Sequence, residues 1–276
     1  MTNSETNSDA HELTLTSRIT SSLLNRRLLF FAAELILIVA GVLIALAIDE
    51  WVNDARDRRT ETLYLQLLAR DLDEIRQRLD EQLAFEQNMM DISSRAYAAL
   101  GVADPPQNQA ELGRLLGSLG TRKTLSLTSA TYKEMVDSGQ LQLIDNPELR
   151  DTIIRYFTRM ELVERIVDKN NAVFVDDIYN GFLIRAGITV QIFRKDAISA
   201  LARGGEILTE GFGEDVVYPD DRVLSQPADA DSWNDIRRNL LLRARIAAVG
   251  QANSEETLAQ TDEIAKAVAS ELHRRQ

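Results

Sequence analysis

The stretch Leu28–Ile48, LLFFAAELILIVAGVLIALAI, decides the architecture of this chain of 276 residues. Fourteen of its twenty-one residues are Leu, Ile, Val or Phe, and Glu34 is its one charged residue. As an α-helix the stretch would be about 31 Å long, which matches the ~30 Å hydrocarbon core of a bilayer. The apolar side chains outweigh the cost of about 2.5–3.5 kcal/mol for a charged residue. We therefore predict a transmembrane helix over residues 27–50.

Four residues of this helix share one face, because they are spaced by four, three and four positions: Glu34, Ile38, Gly41 and Ala45. Gly41 and Ala45 form a small-x-x-x-small pair, which lets the backbone of another helix approach closely. An acid inside a membrane segment is by default a functional-site hypothesis. We expect this face, the anchor face, to bind another membrane helix or a second copy of the chain. The alternative is that the carboxyl group is protonated or reaches the headgroups.

The residues that flank the span indicate how it lies in the bilayer. Arg26 and Arg27 precede it, and Trp51 follows it, so these three side chains are expected to be interface anchors. The arginines nearest the membrane favour a cytoplasmic N-terminus and a periplasmic C-terminal domain. Ala45-Leu46-Ala47 has the form of a signal-peptide cleavage site. The apolar stretch exceeds the usual 7–15 residues of a signal core, which favours an uncleaved anchor.

Composition excludes several classes of function. The net charge is −12, which argues against a nucleic-acid-binding protein. There is no cysteine, and the two histidines, His11 and His273, lie near the termini. These counts remove thiolate chemistry and the usual general base and metal ligand. Acids share a helical face at Glu161, Glu164 and Asp168, but without Glu-x-x-His pairs they are better interpreted as a solvated surface. We predict no enzymatic activity, no cofactor and no metal.

The rest of the chain predicts an all-α protein. Residues 1–26 are expected to form a disordered tail. Residues 51–276 are expected to form a soluble helical domain, with a long membrane-proximal helix of coiled-coil character over about 51–100 and a bundle over about 107–276. The long helix has an apolar face at Tyr64, Leu68, Leu72, Ile75, Leu79 and Leu83. An irregular, Gly- and Pro-containing loop is expected near 203–230.

Local signals predict the ends of shorter elements. A helix from about 129 should end at Ser138-Gly139, with Gly139 in the left-handed conformation. Asn146-Pro147-Glu148 predicts the start of a helix that runs to about Arg185 and ends at Gly187. Other expectations are a short helix over 109–119, a brief extended link at Leu141–Ile144, a strand or loop at Ile188–Phe193, and two final helices that begin near Asp231 and Asn253.

Two stretches are similar to a family of uncharacterised bacterial single-pass membrane proteins, classed as a domain of unknown function. The first is Glu34–Trp51, followed by Glu61, Tyr64-Leu65 and Asp71-Leu72. The second is Tyr132–Ile144, which contains Ser138-Gly139-x-Leu-x-Leu-Ile, followed by Leu149-Arg150, Ile153 and Tyr156. The resemblance covers roughly residues 26–157 and implies a glutamate-bearing anchor in a bacterial inner membrane. It implies no activity.

These observations lead to two functional hypotheses. The first is a non-enzymatic interaction or scaffold subunit, bound to the lipid bilayer, whose anchor face contacts another membrane helix or a homo-oligomer. The second is a periplasmic helical bundle that senses a small ligand and acts through a partner protein, because the N-terminal tail is too short for an output domain. Tyr132, Lys133 and Arg150, near the Ser138-Gly139 motif, are the candidate ligand contacts, although a purely structural role of the motif is favoured.

Overall fold

The computed structural model describes residues 9–101, 109–188, 210–211, 222–227 and 230–275. Within these ranges the chain is helical and forms no strand, which confirms the all-α prediction. The chain divides into two compact units, Met1–Glu61 and Thr62–Gln276. We call the second unit the body.

The first helix, α1, spans Asp9–Ala99. Of the described helices, it is the one that is long and apolar enough to cross a membrane. A disordered tail was expected over residues 1–26, whereas the helix begins at Asp9; residues 1–8 lie outside the described part. No Pro or Gly interrupts residues 9–26. Extending an existing helix by one residue costs far less free energy than nucleating a new helix. The helix of the apolar stretch can therefore extend toward the N-terminus.

Among the described residues of the body, five more α-helices have bounds at both ends. They are α2 (Gln109–Ser118), α3 (Ala130–Asp137), α4 (Pro147–Asn170), α5 (Gly181–Ala186) and α6 (Ser232–Arg274). A π-helical segment, Asn171–Asn180, joins α4 to α5, and short 3₁₀ turns occupy Gln140–Leu143 and Arg222–Ser225. Residues 189–193 and most of 203–230 are outside the described residues, so the strand or loop and the irregular loop expected there are not described.

The apolar face predicted on α1 forms one wall of the first of two cores. Tyr64, Leu68, Leu72, Ile75 and Leu79 are buried, and Leu83 is partly buried. The first core packs this face against α3, α4 and the end of α6. The second core packs the end of α1 against α2, α5, the π-helical segment and the start of α6.

The caps around α3 and α4 confirm most of the local predictions. Gly139 has φ of 71° after α3, and Gly187 has φ of 71° after α5, a conformation that favours glycine. The Asn146 side chain accepts hydrogen bonds from the backbone N–H groups of Glu148 (3.1 Å) and Leu149 (3.3 Å). The extended link expected at Leu141–Ile144 was wrong, because the left-handed turn at Gly139 leads directly into a 3₁₀ turn.

The prediction of two final helices was also wrong, because α6 is one helix from Ser232 to Arg274. Its interior contains no proline, and its one glycine, Gly250, serves close packing. A Cβ at Gly250 would lie 2.6 Å from Cδ of Glu86 on α1. The helix continues through Asn253, although the sequence there predicts a helix start. Residues before and after Asn253, such as Leu240 and Ile264, are buried in the two cores, and this packing outweighs the local preference.

Candidate functional site

The predicted anchor face lies on the exposed surface of α1. Glu34, Ile38, Gly41 and Ala45 are all exposed, and a Cβ at Gly41 would meet no heavy atom within 4 Å apart from the local helix backbone and the two adjoining residues. Helical periodicity brings these four residues to one face. No described residue covers that face, so its ability to accept a second helix depends on its small residues and its single acid.

The flanking residues are placed as follows. Trp51 is 72% exposed beyond the apolar stretch. Arg26 and Arg27 lie within α1, but their side chains are outside the described part of the chain. The interface role of these three residues therefore stays a prediction.

An apolar band surrounds the anchor face. The large apolar side chains described between Phe31 and Ile48 are all about half or more exposed. Removing apolar surface from water is favourable by about 25 cal/mol per Å², so leaving these side chains in water is costly. Exposed patches of more than a few hundred Å² are rare in soluble monomers and mark membrane or protein interfaces. The band has the exposed apolar side chains that are typical of a surface in contact with lipid or protein.

In the body, the first turn of α3 is fixed to α1. Asp71 of α1 accepts a hydrogen bond from the Ser129 hydroxyl (Oγ to Oδ2, 2.5 Å) and from the backbone N–H of Thr131 (3.1 Å). The same Ser129 hydroxyl accepts from the backbone N–H of Tyr132 (2.9 Å), which caps the helix. One carboxylate thus orders the N-terminus of α3 and the residues Tyr132 and Lys133 that follow.

These two residues open onto a cavity of about 420 Å³ between α3 and α4, which we call the α3–α4 cavity. Its apolar part is formed by Leu127, Tyr132, Phe157 and Met160, among others. The Tyr132 ring stacks on Phe157 with centroids 4.2 Å apart and an interplanar angle of 19°. The cavity volume falls in the range of small-molecule sites, which are mainly apolar with a few polar groups.

The charged groups of the α3–α4 cavity are mostly acidic. Asp137, Glu161 and Glu164 line it together with one cation, Lys133. Glu164 is held in place because its carboxylate accepts a hydrogen bond from the backbone N–H of Leu127. Burial, reinforced by the negative charge of Glu161, raises the pKa of Tyr132, so its phenol stays protonated at neutral pH. The cavity combines aromatic rings with an excess of negative charge.

Only some of the other residues that the sequence analysis singled out lie at this cavity. Glu161 and Glu164 line it, while Asp168 of the same predicted acidic face is exposed and does not. Arg150 of the Ser138-Gly139 region is half-buried and does not line it either. Among the described residues, no group of three or more His, Cys, Asp or Glu side chains is arranged to hold a metal ion.

Sequence reasoning missed a second polar arrangement, inside the body. Arg243 of α6 is 2% exposed, and its guanidinium donates to the carbonyl oxygens of Leu119 (Nε, 2.9 Å) and Thr121 (Nη2, 3.4 Å). On α1, the Gln82 side chain donates to the Glu86 carboxylate (2.8 Å). Burial raises the pKa of Glu86, and the positive charge of Arg243 opposes that effect.

Side chains donate hydrogen bonds to the backbone carbonyl groups of the segment 119–123, in addition to the backbone hydrogen bonds that its first residues make to the preceding turn. Besides Arg243, the amides of Asn180 and Asn171 donate to the carbonyls of Gly120 (3.1 Å) and Lys123 (2.9 Å). Both asparagines belong to the junctions of the π-helical segment. One signal existed in the sequence: Arg243 occupies a position in the same helical face as Ile236, Leu240 and Ala247, where an apolar residue is expected.

Comparison of the chain with protein-family models, with curated proteins and with solved structures gave no match. The resemblance to the single-pass membrane family stays a prediction. The functional proposals below therefore rest on the anchor face and the α3–α4 cavity.

Proposed function

We propose that the protein is a membrane-anchored, non-enzymatic interaction subunit whose anchor helix binds another membrane helix, or a second copy, through the anchor face. The observation that carries this proposal is the exposed, open side at Gly41, where a Cβ would meet no heavy atom within 4 Å apart from the local helix backbone and the two adjoining residues. The apolar band around it supports a bilayer as the environment. The membrane is proposed to be a bacterial inner membrane, with the body on the periplasmic side.

The physical basis is the way helices associate in lipid. Lipid tails are as apolar as leucine, so close packing and hydrogen bonds between helices drive association. Gly41 and Ala45 allow close packing of a second backbone. Glu34, about two helical turns before Gly41 on the same face, can donate or accept a hydrogen bond across that interface, a contact worth about 0.6–2 kcal/mol.

A matched pair of substitutions tests this proposal. Ala45 and Ala47 are both exposed on α1, two residues and therefore about 200° apart around the helix. Ala45→Ile should lower the yield of partner helix that co-purifies with the tagged full chain from its membrane by at least about tenfold, because the added side chain prevents close approach. Ala47→Ile adds the same atoms on the opposite side and should leave the yield unchanged.

Two differently tagged copies of the full chain distinguish a second copy from a different protein. Equal yields for Ala45→Ile, Ala47→Ile and the unchanged chain would contradict the proposal.

The second candidate function is ligand sensing by the body, which would act through the same membrane partner. The α3–α4 cavity favours it, because the cavity has the size of a small-molecule site and is lined by two stacked aromatic rings. The two functions are compatible, since the anchor face and the cavity belong to different units of the chain.

A further inference from the structure

We propose that the α3–α4 cavity binds a small organic cation that has an aromatic or aliphatic body, such as a quaternary or alkylated amine. This inference rests on the second candidate function, ligand binding by the body, and adds the chemical class of the ligand.

The apolar part of the cavity fits the body of such a ligand. Phe157 and Met160 are almost completely buried beneath it, and Val136 contributes an exposed apolar side chain. About 420 Å³ is enough for a molecule with a single ring and a few added carbon atoms. Binding would remove the apolar surface of both partners from water.

The charge balance of the cavity selects the sign of the ligand. Three carboxylates, Asp137, Glu161 and Glu164, face one ammonium group, Lys133. Lys133 also lines the neighbouring open cleft, where the acids Asp71 and Glu74 are balanced by Lys133 itself and by Arg78, which pairs with Glu74 (2.9 Å). Charges across a binding surface favour ligands of opposite sign and disfavour those of like sign. An anion is therefore disfavoured and a cation is favoured.

The aromatic residues add a second reason for a cation. Ammonium groups are attracted to the faces of aromatic rings, and aromatic cages bind quaternary amines. Tyr132 is the partly exposed ring of the cavity. Phe157 is almost completely buried and stacks on Tyr132, and Tyr156, which does not line the cavity, contacts Phe157 edge-on with centroids 5.0 Å apart. Tyr156 is fixed by a hydrogen bond between its hydroxyl and that of Thr261 (2.9 Å).

The rings are therefore ordered before any ligand arrives. Tyr132 is held from the other side by the cap that Ser129 and Asp71 form. A preformed site binds without the cost of ordering its side chains, which raises affinity for a small ligand. This order distinguishes the cavity from an exposed acidic surface, where the acids would only attract counterions.

Binding of three small probes to the full chain in nanodiscs of zwitterionic lipid tests the inference. The probes are benzyltrimethylammonium, the neutral N,N-dimethylbenzamide and the anionic benzenesulfonate, which have similar sizes and one ring each. Titration calorimetry should show saturable binding of the cation, at least about tenfold tighter than that of the neutral probe. Benzenesulfonate should not bind.

Two variants of α4 locate the site. Glu161→Gln removes one carboxylate from the cavity and should weaken cation binding by about three- to tenfold. Glu148→Gln makes the same change at an exposed residue of the same helix that does not line the cavity, and it should leave binding unchanged. Both residues are exposed, so both variants should fold; Glu148→Gln should lower the melting temperature slightly, because Glu148 is an acid in the first turn of α4, where its charge contributes about 0.3–1 kcal/mol.

The possible failures are distinguishable. If the neutral probe binds as tightly as the cation and the two probes compete for one site, the cavity is a ligand site. In that case only the assignment of a cation is overturned. If none of the probes binds saturably, the cation inference and the ligand-sensing candidate both fail. Equal weakening by Glu161→Gln and Glu148→Gln would show a general charge effect and would also overturn the inference.

Discussion

Arg243 is a charged residue in the interior of the body. It is the largest of the fully buried side chains, and it lies among apolar residues of the second core. Removing a guanidinium from water is costly unless hydrogen bonds and an opposite charge replace the water. Here the carbonyls of Leu119 and Thr121 and the nearby charge of Glu86 fill that role.

Replacing this arginine should therefore destabilise the body strongly. We expect Arg243→Met to lower the free energy of unfolding by about 3–5 kcal/mol, because the Glu86 carboxylate is left buried without a compensating charge. The double variant Arg243→Met, Glu86→Gln should lose less than the single variant, since the uncompensated charge is gone. Denaturant unfolding of the full chain in detergent measures both losses.

Arg245→Met serves as the control, because Arg245 is an exposed residue of the same helix. It should change the free energy of unfolding by less than about 0.5 kcal/mol. Additive losses for Arg243→Met and Glu86→Gln would contradict the coupling between the two charges.

At the scale of elements, the end of α6 is joined to the start of α4 through one carboxylate. Glu271 is 4% exposed and accepts hydrogen bonds from Arg274 (2.6 Å), Arg275 (2.8 Å) and the Asn146 amide (3.1 Å). Asn146 is also the N-cap of α4. Burial alone would raise the pKa of Glu271, but these donors outweigh it and lower the pKa from 4.5 to about 2.

This lowered pKa predicts a dependence of stability on pH. A carboxyl whose pKa is lower in the folded state stabilises the protein at pH above its unfolded value. The contribution of Glu271 should therefore be complete above about pH 5 and be lost as the pH falls from 4.5 towards 2. We expect Glu271→Gln to lower the free energy of unfolding by about 1.5–3 kcal/mol at pH 7.

The difference between the unchanged chain and Glu271→Gln should shrink as the pH is lowered through this range. Glu263→Gln, at an exposed position of the same helix, provides the comparison and should give a small difference at every pH. A loss for Glu271→Gln that stays the same from pH 7 to pH 3 would contradict the assignment.

At the scale of the whole molecule, the sequence predicts the elements well where the signal is local. The length and apolarity of Leu28–Ile48 predict a helix that is long and apolar enough to cross a membrane, and the spacing of Tyr64 to Leu79 predicts the buried face of α1. Capping residues such as Asn146 and Gly139 predict helix ends, because the groups that they satisfy lie within a few positions of them.

What the sequence does not predict depends on residues that are far apart in the chain. Arg243 contacts carbonyls more than 120 positions away, and Gly250 is explained by Glu86 on another helix. The α3–α4 cavity needs α3 to be fixed by Asp71, about sixty positions earlier. Charge patterns indicated an acidic face at Glu161, but not that a cavity lies beside it.

The molecule as a whole combines a body that has its own cores with a segment whose apolar side chains are exposed. The central claim is that one face of this segment contacts another helix in the membrane. The chain contains no cysteine, so single cysteines can be introduced between positions 31 and 48 and labelled with a photoreactive benzophenone without any competing site.

The yield of crosslinked product, measured position by position in the native membrane, tests this claim most directly. We expect the yield to vary with a period of about 3.6 residues. It should be highest at Ile38, Gly41 and Ala45, and lowest on the opposite side of the helix at Ile36, Ala40, Leu43 and Ala47. A yield that is uniform along the segment, or highest on the opposite side, would contradict the account.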